Sequence, residues 1–151
     1  MEESGIHFII KKYEFISKEE LYTILQLRAE VFVVEQDCVY QDIDGKDDKA
    51  VHVLGYKNDK LIAYTRIFEP GAYFEQASIG RVLVKESHRK FKYGYDLMNA
   101  SIEAVHKYYD EQTIKISAQV YLLKFYNNLG FKEQGAVYLE DGIPHKVMIK
   151  E

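Results

Sequence analysis

The stretch SIGRVLVKESHRKFKYGY, from Ser78 to Tyr95, runs an apolar strand into a basic loop and then into a glycine that opens an amphipathic helix. A chain holding such a unit must lay a helix against a sheet, which places it in the α/β (α+β) class. Backbone N–H groups at a helix start face outward, and Arg89, Lys90 and Lys92 add positive charge there, so this turn suits a phosphate. The expected ligand carries a pyrophosphate. The common nucleotide loops are excluded, because neither G-x-x-x-x-G-K-[ST] nor G-x-G-x-x-G occurs in the 151 residues.

The rest of the chain alternates in the same manner. HFIIKKY (7–13) reads as an opening strand, after which Ser17 and Glu20 form a capping box, with Ile16 and Leu21 as its hydrophobic staple. Leu21, Ile24, Leu25, Leu27, Arg28, Val31 and Phe32 keep helical spacing to about Val34. An acidic loop follows. Residues 51–56 and 60–68 alternate around Asn58-Asp59 and predict a hairpin, and Pro70-Gly71 separates them from a strand over 79–84. Leu97, Met98, Ile102 and Val105 predict a helix to about Tyr109. Beyond it, a short strand at 113–118, a helix at 121–129 stopped by Gly130, and strands at 131–138 and 146–149 complete the order. No repeat or linker interrupts it, so residues 1–151 are expected to form one domain.

Composition narrows the function classes. The net charge of −4 argues against a nucleic-acid partner, and the apolar runs are too short to span a bilayer. With no basic-then-apolar leader in MEESGIHF, a cytoplasmic protein is expected. Cys38 is the only cysteine, which rules out an intrachain disulfide and a cysteine-built metal cluster. The tract DIDGKDD fails as a calcium loop: counted from Asp42, position six is Asp47 rather than glycine and position twelve is Val53 rather than glutamate. No metal is expected. Glu35, Asp37, Asp42, Asp44, Asp47 and Asp48 crowd one stretch, which reads either as a solvated loop or as the wall of a site for a cationic acceptor.

Three stretches resemble the GCN5-related N-acetyltransferase (GNAT) superfamily. Arg89-Lys90-Phe91-Lys92-Tyr93-Gly94 is similar to the acyl-coenzyme A signature R/Q-x-x-G-x-G/A, with Lys92 where the first glycine stands. QVYLLKFYNNLGF, from Gln119 to Phe131, resembles N-x-x-A-x-x-F-Y-x-x-x-G-F, departing from it at Gln119 and Leu122. LRAEVFVVEQDCVYQDIDG together with EDGIPHKVM resembles the ElaA-like branch of that superfamily. The resemblance covers nearly the whole chain and implies the GNAT fold, a central mixed and mostly antiparallel sheet flanked by helices.

It also implies an acetyl-CoA-dependent N-acetyltransferase working through a ternary complex on a small-molecule amine or an exposed amino group, and it admits a homodimer. Coenzyme A would be held by main-chain groups of Val82, Leu83 and Val84 along the pantetheine arm, with an N–H near Val84 supporting the thioester oxygen. Arg89, Lys90, Lys92, Tyr93, Gly94 and Tyr95 would surround the pyrophosphate, and Gln119 would also touch the cofactor. Gly94 is expected where a side chain would block the phosphate. Tyr126, inside F-Y-x-x-x-G-F, is the expected general acid, since a phenol with an ordinary pKa of about 10 stays protonated at neutral pH. Glu35 and His145 are the candidate bases. Two other readings stay open: an acyl-CoA-binding sensor without turnover, and an enzyme resembling the acyl-homoserine lactone synthases, which share the L-R-x-x-V-F entry.

Overall fold

The computed structural model describes residues 5–111 and 113–151. Its helix α1 (Lys18–Arg28) begins at the capping box: the Ser17 hydroxyl accepts from the Glu20 N–H at 3.0 Å, and the Glu20 carboxylate accepts from the Ser17 N–H at 2.8 Å. The helical path continues past Val34, as the apolar spacing predicts. However, residues 29–35 are π-wound, a widening that tends to occur at functional sites because it re-aims the side chains on one turn.

Seven strands form one sheet in the order β1-β2-β3-β4-β5-β7-β6. They are β1 (His7–Lys12), β2 (Val51–Lys57), β3 (Lys60–Phe68), β4 (Ala77–Val84), β5 (Ile114–Gln119), β6 (Lys132–Glu140) and β7 (Ile143–Lys150). The β2–β3 turn places Asn58 and Asp59 at φ 51° and 65°, the paired left-handed geometry that the right-handed strand twist favours. Helix α2 (Tyr93–Tyr109) packs Leu97, Met98, Ile102 and Val105 against one sheet face together with Val53, Ile67 and Ile116. Ile24, Leu27 and Val31 cover the other face over Leu54, Tyr64 and Leu83. Each such aliphatic side chain, fully buried, contributes about 1.5–3 kcal/mol. Among the described residues, no helix is long and apolar enough to cross a membrane.

Two irregularities shape the middle of the sheet. All neighbours are antiparallel except β4 and β5, which run parallel and pair only at Ala77↔Ile114 and Ser78↔Lys115 before they diverge. Beyond Ser78 the β5-facing edge of β4 is therefore free of strand partners. In addition, three steps along β4 (Gly80 to Leu83) oppose two along β3 (Arg66 to Tyr64), so β4 carries a bulge, with Arg81 at φ 50°. Helix α3 (Leu123–Asn127) is shorter than the spacing predicts, because residues 120–122 form a 3₁₀ turn ahead of it. Gly130, at φ 98°, closes it, and the Phe131 N–H returns to the Tyr126 carbonyl at 3.1 Å.

Asp42, Asp44 and Asp47 in the acidic loop are held by arginines, while Asp37 and Asp48 stay exposed. Arg28, fully buried, donates to Asp42 at 2.9 Å and to Asp47 at 2.7 Å; Arg66, also buried, donates to Asp47 at 2.9 Å and Asp44 at 2.5 Å. Arg81 adds an ion pair to Asp42 at 2.7 Å. Three arginines thus neutralise three of the six acids and tie the loop to the sheet. Burial raises the Asp44 and Asp47 pKa values, but the hydrogen bonds and charges of these arginines more than reverse this and hold both below the ordinary carboxylate range.

Candidate active site

Where β4 and β5 part, a cleft of about 450 Å³ opens between the π-wound segment, the free edge of β4 and the start of α3. Val82, Leu83, Val84, Arg89, Lys92, Gly94, Tyr95, Gln119, Glu35 and Tyr126 all line it, which brings most of the sequence candidates together. Lys90 and Tyr93 do not. The Lys90 ammonium lies over the Phe91 ring at 5.4 Å, and the Tyr93 side chain, at the first residue of α2, is buried in the core. His145 lines a smaller pocket of about 110 Å³ that shares Phe32, Gln36, Val82, Gln119, Leu122 and Tyr126 with the cleft, so the two cavities adjoin.

The glycine pattern acquires a physical reason. Lys92 sits at φ 62° and ψ 25°, the left-handed conformation that a glycine adopts at no steric cost, so the backbone path survives the replacement while gaining a cation. At Gly94 a Cβ would meet the Phe125 ring at 3.3 Å. A side chain there would press on the aromatic edge of α3, so Phe125 would have to shift by a few tenths of an ångström to admit it. Phe125 in turn packs against Tyr95 with the rings tilted and 4.8 Å between centroids, and Asn128 donates to the Tyr95 hydroxyl at 3.0 Å.

Arg89 crosses the mouth of the cleft. Its Nε donates to the Val84 carbonyl at 2.8 Å, and its two terminal nitrogens grip both oxygens of Glu35, one at 2.7 Å and one closer still. The Glu35 hydrogen bond raises the Arg89 pKa, with burial opposing it. Glu35, one of the acids of the acidic stretch, closes the basic loop onto the π-wound segment, so the two charge regions touch.

Tyr126 is almost fully buried, in edge-on contact with Phe125 and Phe131. Burial pushes its phenol well above the ordinary range. Tyr126 lines both cavities, and its hydroxyl has no protein hydrogen-bond partner among the described residues. His145 is buried with Nδ1 at 2.7 Å from the Ile143 carbonyl, so in the neutral ring Nδ1 carries the proton and Nε2 keeps a free lone pair. His52, by contrast, is spent on structure: its nitrogens meet the Tyr64 hydroxyl and the Asp47 carbonyl, and burial lowers its pKa.

Several wall residues of the smaller pocket escape the sequence reading. Tyr40, Arg81, Ser117 and Glu140 line it, and Tyr138 hydrogen-bonds Ser117. Ser117 and Gln119 alternate with buried Ile116 and Ala118 on β5, a period-two pattern that marks a second, polar face. Cys38 also lines this pocket, its thiol donating weakly to the Asp141 carbonyl at 3.4 Å.

Residues 14–151 match the model of the acetyltransferase (GNAT) domain family. The chain belongs to the GNAT acetyltransferase family. Protein ElaA of Escherichia coli (strain K12) is 45% identical over 138 residues, covering 90% of each chain, and the E. coli ElaA crystal structure superposes with a TM-score of 0.90 at 42% identity, over 97% of this chain and 100% of that one. An acyl-CoA N-acyltransferase from Pseudomonas aeruginosa superposes equally well, TM-score 0.90 at 36% identity, over 97% of this chain and 100% of its own. The UPF0039 protein sll0451 of Synechocystis sp. is 38% identical over 145 residues, 95% of this chain and 94% of its own. This GNAT protein is therefore an acyl-CoA-dependent acyltransferase of the ElaA-like branch, and the seven-stranded mixed sheet with its flanking helices is the GNAT fold.

Proposed function

We propose that this GNAT enzyme transfers an acetyl group from acetyl-CoA to a primary amine within one ternary complex, as a single domain in the cytoplasm. One observation carries the reading: the edge of β4 that lacks a strand partner beyond Ser78 runs along a cleft that ends at a basic helix start, with Tyr126 in its wall. The pantetheine amides pair with that edge as an added strand through Val82, Leu83 and Val84. The pyrophosphate faces the N–H groups leading into α2, with Arg89, Lys92 and Tyr95 around it and Lys90 and Tyr93 contributing main chain only. Gln119 bounds the cofactor on the β5 side.

The acceptor enters through the smaller pocket. His145 Nε2 takes the proton that the amine loses, which suits it better than Glu35, whose carboxylate is engaged by Arg89. As the amine attacks the thioester carbon, a backbone N–H near Val84 supports the oxyanion, the C–S bond breaks and Tyr126 supplies the proton to the departing sulfur. Holding both substrates in line provides most of the acceleration. Calorimetric titration with coenzyme A tests the cofactor half: Arg89→Ala is expected to weaken binding about tenfold, consistent with losing one charge-assisted contact, and unchanged affinity would remove Arg89 from the phosphate site.

A further inference from the structure

The smaller pocket has an electrostatic imbalance that the transfer chemistry does not use. Of the charged groups on its wall, Arg81 is already committed, its guanidinium 2.7 Å from Asp42 Oδ1 and donating to the Asp42 carbonyl at 2.7 Å. The neighbouring network balances three arginines with three aspartates and so adds no net charge. Glu140 is different. Its carboxylate is half-buried and meets no cation among the described residues; Ser117 donates to Oε1 at 2.9 Å, and the Ser117 hydroxyl is itself bonded to that of Tyr138. This chain holds one oxygen, the other has no hydrogen-bond partner among the described residues, and Glu140 lines a cavity that adjoins the cleft. Asp141, exposed at the β6–β7 turn, adds the same sign at the rim.

Resting on the acyltransferase reading, we propose that Glu140 anchors a second cationic group on the acceptor, so that the substrate is a diamine rather than a monoamine. One amine is deprotonated and acylated beside His145, while the other stays charged and pairs with the Glu140 carboxylate. A carboxylate held by an O–H···O–H chain is pre-organised, so it loses little freedom when the cation arrives. Ser117 is a positioning residue for it. The same geometry disfavours an acceptor with a negative far end, since two carboxylates would face each other across a partly shielded pocket.

The test is calorimetric titration of the protein saturated with coenzyme A, using 1,4-diaminobutane, n-butylamine and 4-aminobutanoate as probes. In the wild type, the diamine is expected to bind about tenfold more tightly than the monoamine, as a charge-assisted hydrogen bond allows, with 4-aminobutanoate weakest. Glu140→Gln should bring the diamine to within about twofold of the monoamine, as removal of the anchoring charge requires. Ser117→Ala, which leaves the charge in place, should retain part of the preference. A coenzyme A titration of each variant reports whether the fold survives. Equal affinity for the two amines in the wild type, or an undiminished preference in Glu140→Gln, overturns the proposal. Thiol release from acetyl-CoA, measured in parallel, separates the two levels: the binding preference without release retains the anchor and defeats transfer, whereas equally efficient release with monoamine and diamine retains transfer and defeats the anchor.

Discussion

Replacing Arg28 with methionine probes how the acidic loop is held. The guanidinium is fully buried and donates to Asp42, Asp47 and the Asp42 carbonyl. Removing one partner of a buried pair usually costs about 3–5 kcal/mol, because it leaves a desolvated charge uncompensated. Here each carboxylate keeps a second arginine, Asp47 with Arg66 and Asp42 with Arg81, so the lower end applies, about 3 kcal/mol. For a chain of 151 residues this corresponds to a fall of roughly 6–12 °C in Tm. Urea unfolding should show the midpoint moving with an unchanged slope. The Arg28→Met, Asp42→Asn double variant should lose less than the sum of the singles, since they share one interaction. A loss below about 1 kcal/mol would refute the reasoning, because that is the range of a solvated surface pair rather than a buried one.

The same network sets the acid limit. Asp44 and Asp47 have folded pKa values below their unfolded ones, so the stability they contribute is present above about pH 4 and is lost as the pH falls toward their folded values. His52, whose folded pKa is lowered by burial, also favours folding when unprotonated, so a shallower loss begins below about pH 6.5 and is absent in His52→Gln; urea midpoints at stepped pH values check both. Glu35→Gln releases Arg89 from a partly exposed pair worth about 0.2–1 kcal/mol, so coenzyme A should bind about two- to fivefold more tightly, the salt dependence steepening. Weaker binding by calorimetry would instead make Glu35 the residue that positions Arg89 for the phosphates.

The elements were legible wherever local signals were strong. The capping box at Ser17, the Asn58-Asp59 turn and the apolar stripe of α2 each rest on chemistry within a few residues, and each appears in the structure. The cleft was legible through Arg89, Gly94 and Tyr126, because a basic turn into a helix and an F-Y-x-x-x-G-F segment are each contiguous in sequence. What escaped depends on distant pairing. Nothing in DIDGKDD reveals that Arg28 and Arg66, one in a helix stripe and one in an apolar strand, reach its acids across 14 to 22 positions. A charged residue in an otherwise apolar strand, as in YTRIF, is the one hint of it. The π-winding of residues 29–35 follows the same apolar spacing as an α-helix and leaves no separate mark in the pattern. Glu140 and Ser117 are brought together only through the pairing of β5, β7 and β6, which no local motif encodes.

The most direct measurement is amine-dependent release of coenzyme A thiol from acetyl-CoA, with the acylated amine identified by mass, in the wild type and in Tyr126→Phe. One N-acetylated amine per thiol released is expected, and in the variant an unchanged affinity for coenzyme A with a turnover about 10²-fold lower, the low end for general acid help to a good leaving group. Full turnover in Tyr126→Phe would move the proton to another donor. Tight binding of coenzyme A with no amine-dependent release across monoamines and diamines would contradict the account at its centre and leave a domain that senses acyl-CoA.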